Sequence, residues 1–289
     1  MRCGRFFSLL IIILTLAFPF AGLQAETSPN DLGTLLKLLE ARNYRWIGIQ
    51  SNVIFSFIAP GGSQAICGGE LRYQRLDEKM LLVCSDQKGD LLFIFRTLDR
   101  RFDLYLPSQQ TLYHGSIFDL QDSPEIESHL KLLDLYRALK PMTFNPRNAE
   151  IDNLTGATII LNIFSENAEP RYLTRKLYMT PQGDVIGEVY FSKEGKPVTE
   201  IRRQEILEIP THHTAFPSIF FPKRVTLVSP ETGKNTAILF SKVKSVDVIE
   251  DVDWLFPVPE GTREVFLQEK DPRFSDQTKT SALPEAVLK

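Results

Sequence analysis

Between Cys67 and Phe118 the chain is a succession of short apolar runs cut by turn-forming residues, and this stretch constrains the fold more than any other. Runs rich in Leu, Phe, Tyr, Ile and Val are interrupted at Arg75-Leu-Asp77, Gln87-Lys-Gly-Asp90, Leu98-Asp-Arg100 and Pro107-Ser-Gln109. Each run is about one strand long, and tight turns join strands that neighbour each other in sequence. The stretch therefore predicts an antiparallel meander of about five strands. Leu91, Phe93 and Phe95 alternate onto one face of one run, and Phe102, Leu104 and Leu106 onto one face of the next. A plain sandwich core would give the same alternation.

The flanking segments extend the β pattern. Tyr44 to Ile58 reads as a long strand with Ile47, Ile49, Val53, Phe55 and Phe57 on one face and Trp46, Gln50, Asn52 and Ser56 on the other. Further strands are predicted at about 157–165, 171–180, 184–193, 197–208, 219–229 and 234–248. Two segments read as helices. Residues 28–42 follow a Ser28-Pro29-x-Asp31 start and place Leu32, Leu35, Leu36 and Leu39 on one face. Residues 124–140, bounded by Pro124 and Pro141, carry Ile126, Leu130 and Leu133 in an apolar stripe. The segment from Asp253 to Pro259 reads as a last packed piece. No internal repeat or linker divides the chain, so residues 26–266 are expected to form a single domain, followed by a polar tail at 267–289.

Residues 1–25 read as an export signal. Arg2 and Arg5 precede an apolar run from Phe6 to Phe20, and Ala21-Gly-Leu-Gln-Ala25 supplies small residues near a cleavage point. Leu23 stands where a small residue is preferred, so an uncleaved membrane anchor is the other reading. The net charge of the 289-residue chain is -3, and loss of two arginines makes it -5. That acidity argues against a nucleic-acid partner. Cys67 and Cys84 remain after the signal. A hairpin turning around Gln74–Asp77 would put them opposite each other on adjacent strands, so an exported chain is expected to join them in a disulfide. Two small buried thiols are the alternative.

No constellation for catalysis or metal binding accompanies the four histidines, His114, His129, His212 and His213. Asp134 and Arg137 read as a surface pair one helical turn apart. No enzymatic activity and no cofactor are expected. Function rests instead on architecture. A strongly twisted antiparallel sheet of about eleven strands tends to curl. A curled sheet lined by Val53, Phe55, Phe57, Leu91, Phe93, Phe95, Phe102 and Leu104 would enclose an apolar cavity suited to acyl chains. The helix carrying Ile126, Leu130 and Leu133 would serve as plug or lid.

The order of elements, together with Gly69-Glu-Leu-Arg-Tyr-Gln-Arg75, Gly89-Asp-Leu-Leu-Phe-Ile-Phe95, Phe102-Asp-Leu-Tyr-Leu-Pro107 and Leu112-Tyr-His-Gly115, resembles the periplasmic lipoprotein carrier and outer-membrane lipoprotein receptor superfamily (LolA/LolB-like). The motif resemblance covers about residues 65–118 and the order of elements about 28–266. It implies a mainly β fold with a few helices: a curved, unclosed antiparallel β-barrel with a helical lid. The ligands it implies are acyl chains of lipoproteins or lipids in the periplasm, with envelope membrane proteins as further partners. Cys3 precedes the apolar run, so no acylation cysteine follows the signal. That departs from the receptor branch and favours a soluble carrier. An envelope sensor or assembly factor on the same scaffold is the alternative.

Overall fold

A computed structural model describes residues 31–43, 47–58, 64–122, 131–140, 144–153, 157–166, 168–212, 217–233, 235–250, 254–255 and 258–267. The export-signal segment, Trp46, Ile126, Leu130 and the tail beyond Leu267 lie outside the described residues. In chain order the elements are α1 (Leu32–Asn43), β1 (Gly48–Ile58), β2 (Gln64–Gln74), β3 (Lys79–Ser85), β4 (Leu91–Leu98), β5 (Arg101–Leu106) and β6 (Thr111–Ser116). A 3-10 segment at Ile117–Asp122 leads to α2 (Leu132–Leu139) and then to β7 (Ala149–Asn153), β8 (Ile159–Phe164), β9 (Leu173–Met179) and β10 (Val185–Phe191). The chain finishes with β11 (Pro197–Pro210), β12 (Ser218–Val228), β13 (Asn235–Val246) and β14 (Arg263–Phe266).

All fourteen strands belong to one sheet, in the order β14-β6-β5-β4-β3-β2-β1-β13-β12-β11-β10-β9-β8-β7. The meander forms one half and β7–β13 the other, and β1 joins them by pairing with β2 on one side and β13 on the other. Every pairing is antiparallel except that of β14 with β6. The sheet is curved and does not close into a barrel, since β14 and β7 are left as its two edges.

Two of the fourteen strands among the described residues, β7 and β14, were not expected; each spans five residues or fewer. Runs this short carry too little alternation to register in sequence. The first helix also starts later than its sequence signature suggests. Asp31 accepts the Thr34 amide (2.8 Å) and the Thr34 hydroxyl (2.8 Å), so Asp31 itself caps α1. Those bonds hold its carboxyl below the usual range. Of the mid-chain helix expected at 124–140, the described part is α2.

Local geometry follows residue type. The β2–β3 hairpin approaches so closely at Gly69 that a Cβ there would lie 1.8 Å from the Val83 carbonyl oxygen. Only glycine fits. Gly69 pairs with Cys84, and the Cys67–Cys84 disulfide spans the same two strands diagonally, with Cα atoms 5.7 Å apart.

Two helices cover the concave face. Leu35 and Leu39 of α1 pack on Ile159, Leu161, Leu177 and Met179 at the β7–β10 end. α2 joins the larger cluster formed by β1–β5 and β11–β13. On the convex side, the segment after β13 lays Ile249 and Trp254 over Leu81, Ile94, Tyr105 and Leu112.

Candidate ligand-binding face

Seven of the eight expected cavity residues share the concave face. Val53, Phe55, Phe57, Phe93, Phe95, Phe102 and Leu104 are buried in one cluster. Their rings interlock: Phe55 meets Phe93 edge-on at 5.8 Å, Phe57 meets Phe93 at 6.2 Å, and Phe95 lies 6.2 Å from Phe102. Leu91 is the exception and corrects the sequence reading. The register shifts between Cys84–Phe93 and Ser85–Leu91, so one extra residue sits in β4. This bulge turns Leu92 toward the concave cluster and Leu91 toward the convex one. A period-two reading cannot register an inserted residue.

Among the described residues α2 lies against this face, and seven of its eight residues are buried, Arg137 being the exception. Leu133 lies in the buried cluster beside Leu132, Leu135, Tyr136 and Leu139. The helix is amphipathic in sequence, with Asp134 and Arg137 on one side, so the burial of its polar side could not be read from its periodicity.

Polar contacts hold α2 in place. Its N-cap residue, Lys131, has a left-handed backbone (φ 53°) and makes no side-chain cap, so the helix depends on its surroundings. Asp134, expected on the surface, is 3% exposed; its pairing with Arg137 (3.3 Å) is joined by a hydrogen bond from Thr199 (3.1 Å). The helix periodicity located the pair correctly but could not show that the sheet covers it. The Tyr136 hydroxyl donates to Glu78 (2.5 Å), and Lys140 pairs with the same carboxylate (2.9 Å). Burial alone would raise the Glu78 carboxyl, yet the hydrogen bonds from Tyr136 and Lys140 outweigh it and hold it below its usual range. Burial and the bond to Glu78 push the Tyr136 hydroxyl up.

A buried ionic seam separates the clusters under α1 and α2. Glu188, 1% exposed, accepts from Arg203 (2.5 Å) and from the Tyr190 hydroxyl (3.1 Å), and lies 3.6 Å from Arg175. Arg203 also donates to the Ala138 carbonyl in α2 (2.8 Å). Burial, then the Glu188 charge, pushes the Tyr190 hydroxyl up to about 12. Nothing in the sequence pattern marked these residues, because strands about sixty residues from α2 supply them. A second polar row, Arg96–Asp103–His114, runs across β4–β6 on the convex side, with His114 Nδ1 2.6 Å from Asp103.

The architecture is that of known proteins. An outer membrane lipoprotein-sorting protein domain from Vibrio parahaemolyticus superposes with a TM-score of 0.54 at 11% identity, covering 78% of this chain and 97% of that one. A LolA superfamily protein from Nitrosomonas europaea gives 0.51 at 12% identity, covering 78% and 99%. A DUF1329 family protein from Desulfovibrio piger gives 0.55 at 13% identity, covering 78% and 97%. No family model and no curated protein matches the sequence. The protein therefore has a LolA-like fold, as the meander motifs suggested, at an identity that establishes the fold alone. No helix among the described residues is long and apolar enough to cross a membrane.

Proposed function

We propose that this protein is an exported, non-enzymatic periplasmic carrier or binding protein that holds acyl chains of lipoproteins or lipids against its concave face, serving outer-membrane lipoprotein sorting. The observation that carries the reading is the apolar face of Phe55, Phe57, Phe93, Phe95 and Phe102, covered by a short helix held through polar contacts. An acyl chain replaces α2 on that face and recovers about 0.8 kcal/mol per buried methylene. The contacts of Glu78, Thr199 and Arg203 re-form when the chain leaves. Residues 26–266 are the carrier domain, and 1–25 direct export to the periplasm. A non-enzymatic envelope sensor or assembly factor is the second reading, favoured by how deeply α2 is buried against the face.

The test is native mass spectrometry with organic extraction of protein purified from its own envelope, followed by titration with a fluorescent fatty acid. A reproducible lipid or acylated-peptide adduct supports the carrier, and Phe93→Leu or Phe95→Leu then weakens probe uptake. Clean apo protein with no probe uptake overturns it and leaves the protein-binding reading.

A further inference from the structure

The convex face over β12, β13, β1 and β2 carries cations around exposed aliphatic side chains, in a protein whose net charge is negative. Its shape begins with a bulge. Gln50 pairs with Lys244 and Asn52 with Ser241, so β13 holds one more residue than β1 across this interval. Lys242 takes up the excess with a left-handed backbone, φ 51°. In an unbulged strand Lys242, two residues after the buried Phe240, would project onto the concave core. The bulge instead gives Val243 to that core and leaves Lys242 and Lys244 exposed on the other side. The Ser51 hydroxyl, buried beneath, donates to the Ser241 carbonyl at 3.0 Å and steadies the distortion.

The result is a hollow of about 170 Å³ lined by Gln50, Asn52, Glu70, Arg72, Lys242 and Lys244. Three cations there face one acid, and Glu70 lies 3.5 Å from Arg72. Two rows along the strands, Arg224, Leu239, Ile54 and Gly68 lie side by side across β12, β13, β1 and β2. Arg224 is exposed, Ile54 is 48% exposed, and Ile66 on the same face is 51% exposed. The segment after β13 covers the neighbouring row, where Ile249 and Asp247 bond Gln74, and among the described residues it leaves this surface open.

We infer that this convex patch docks on an anionic bilayer, its lysine hollow taking a lipid phosphoryl group while Ile54 and Ile66 enter the headgroup boundary. The charge arrangement carries the inference. A cluster of basic side chains is attracted to anionic lipid, and aliphatic residues between them add apolar burial that a soluble anion does not reward. The patch lies on the opposite side of the sheet from the acyl-chain face, so the inference does not rest on the proposed function.

Co-flotation of the exported form of the protein tests it, with vesicles of phosphatidylcholine alone or mixed with phosphatidylglycerol. Binding is expected to the mixed vesicles and to fall with added salt. Each lysine contributes about fivefold near an anionic surface. Lys242→Gln with Lys244→Gln therefore weakens binding about 25-fold, while Arg202→Gln, whose side chain is already engaged by Glu200, leaves it unchanged. The exposed substitutions leave the circular dichroism spectrum intact. Equal binding to both vesicle types overturns the inference, as does a double variant within twofold of the parent. Binding that free glycerol phosphate abolishes as effectively as it does for a soluble anion site also overturns it.

Discussion

The seam between the two concave clusters makes a double-mutant cycle decisive. Glu188 and Arg203 are 1% and 8% exposed and meet at 2.5 Å. Removing one member of a buried pair leaves an uncompensated charge and costs about 3–5 kcal/mol. Glu188→Leu leaves the Arg203 charge uncompensated beneath α2, and Arg203→Met leaves Glu188 to the more distant Arg175 (3.6 Å) and the Tyr190 hydroxyl and removes the donor to the Ala138 carbonyl. Each single variant is expected to lose about 3 kcal/mol. The double variant replaces the pair by apolar side chains of similar size and removes the desolvation cost of both. Arg175 keeps its stacking on Tyr190 (5.7 Å), so the double loss is about 1–2 kcal/mol instead of the additive 6 or so. The assay is urea unfolding followed by far-ultraviolet circular dichroism. With an m-value of about 3 kcal/mol per molar for a chain of this size, each single variant shifts the midpoint down by about 1 M. Additive losses, or single losses below about 1 kcal/mol, would refute the coupling.

Three further outcomes follow from the same structure. Reducing the Cys67–Cys84 disulfide, which spans 17 residues, lowers stability by about 3 kcal/mol, readable as a drop in urea midpoint in the presence of reductant. Because the Glu78 carboxyl is held below its unfolded value, its stabilising contribution is present above that value and lost as pH falls through the folded one. Hydrogen-exchange protection at 132–139, taken relative to the intrinsic rate at each pH, should therefore fall in acid, and Glu78→Gln should remove that pH dependence. The Tyr190 hydroxyl is raised from 10.0 to about 12, so its contribution is complete below pH 10 and fades as pH rises toward 12; absorbance at 295 nm should show its ionisation delayed until that range.

The legibility of the elements followed their length and spacing. The meander and the long strands over Gly48–Ile58 and Pro197–Val246 were readable because each repeats an apolar residue every second position over six or more residues. The cysteine pair was readable because a short hairpin confines both partners. β7 and β14 escaped because five residues or fewer carry little period, and Leu91 was misplaced because a bulge resets the alternation without changing composition. Asp134 was assigned to the surface because an i, i+3 pair looks the same whether the helix lies on water or against a sheet.

What the sequence determined by itself is the material of the protein: alternating strands, a disulfide-ready hairpin, and an amphipathic helix between two groups of strands. These depend on local sterics and on which side chains water rejects. What only the tertiary structure decided is how that material is used. The pairing of β1 with β13 spans almost two hundred residues, and it alone brings the two strand groups into one curved sheet. Curvature decides that α2 is buried against the concave face, that Glu188, Arg203 and Thr199 meet it, and that Lys242 leaves the core for the convex side. Such contacts depend on distances between residues remote in the chain, and no local pattern encodes them.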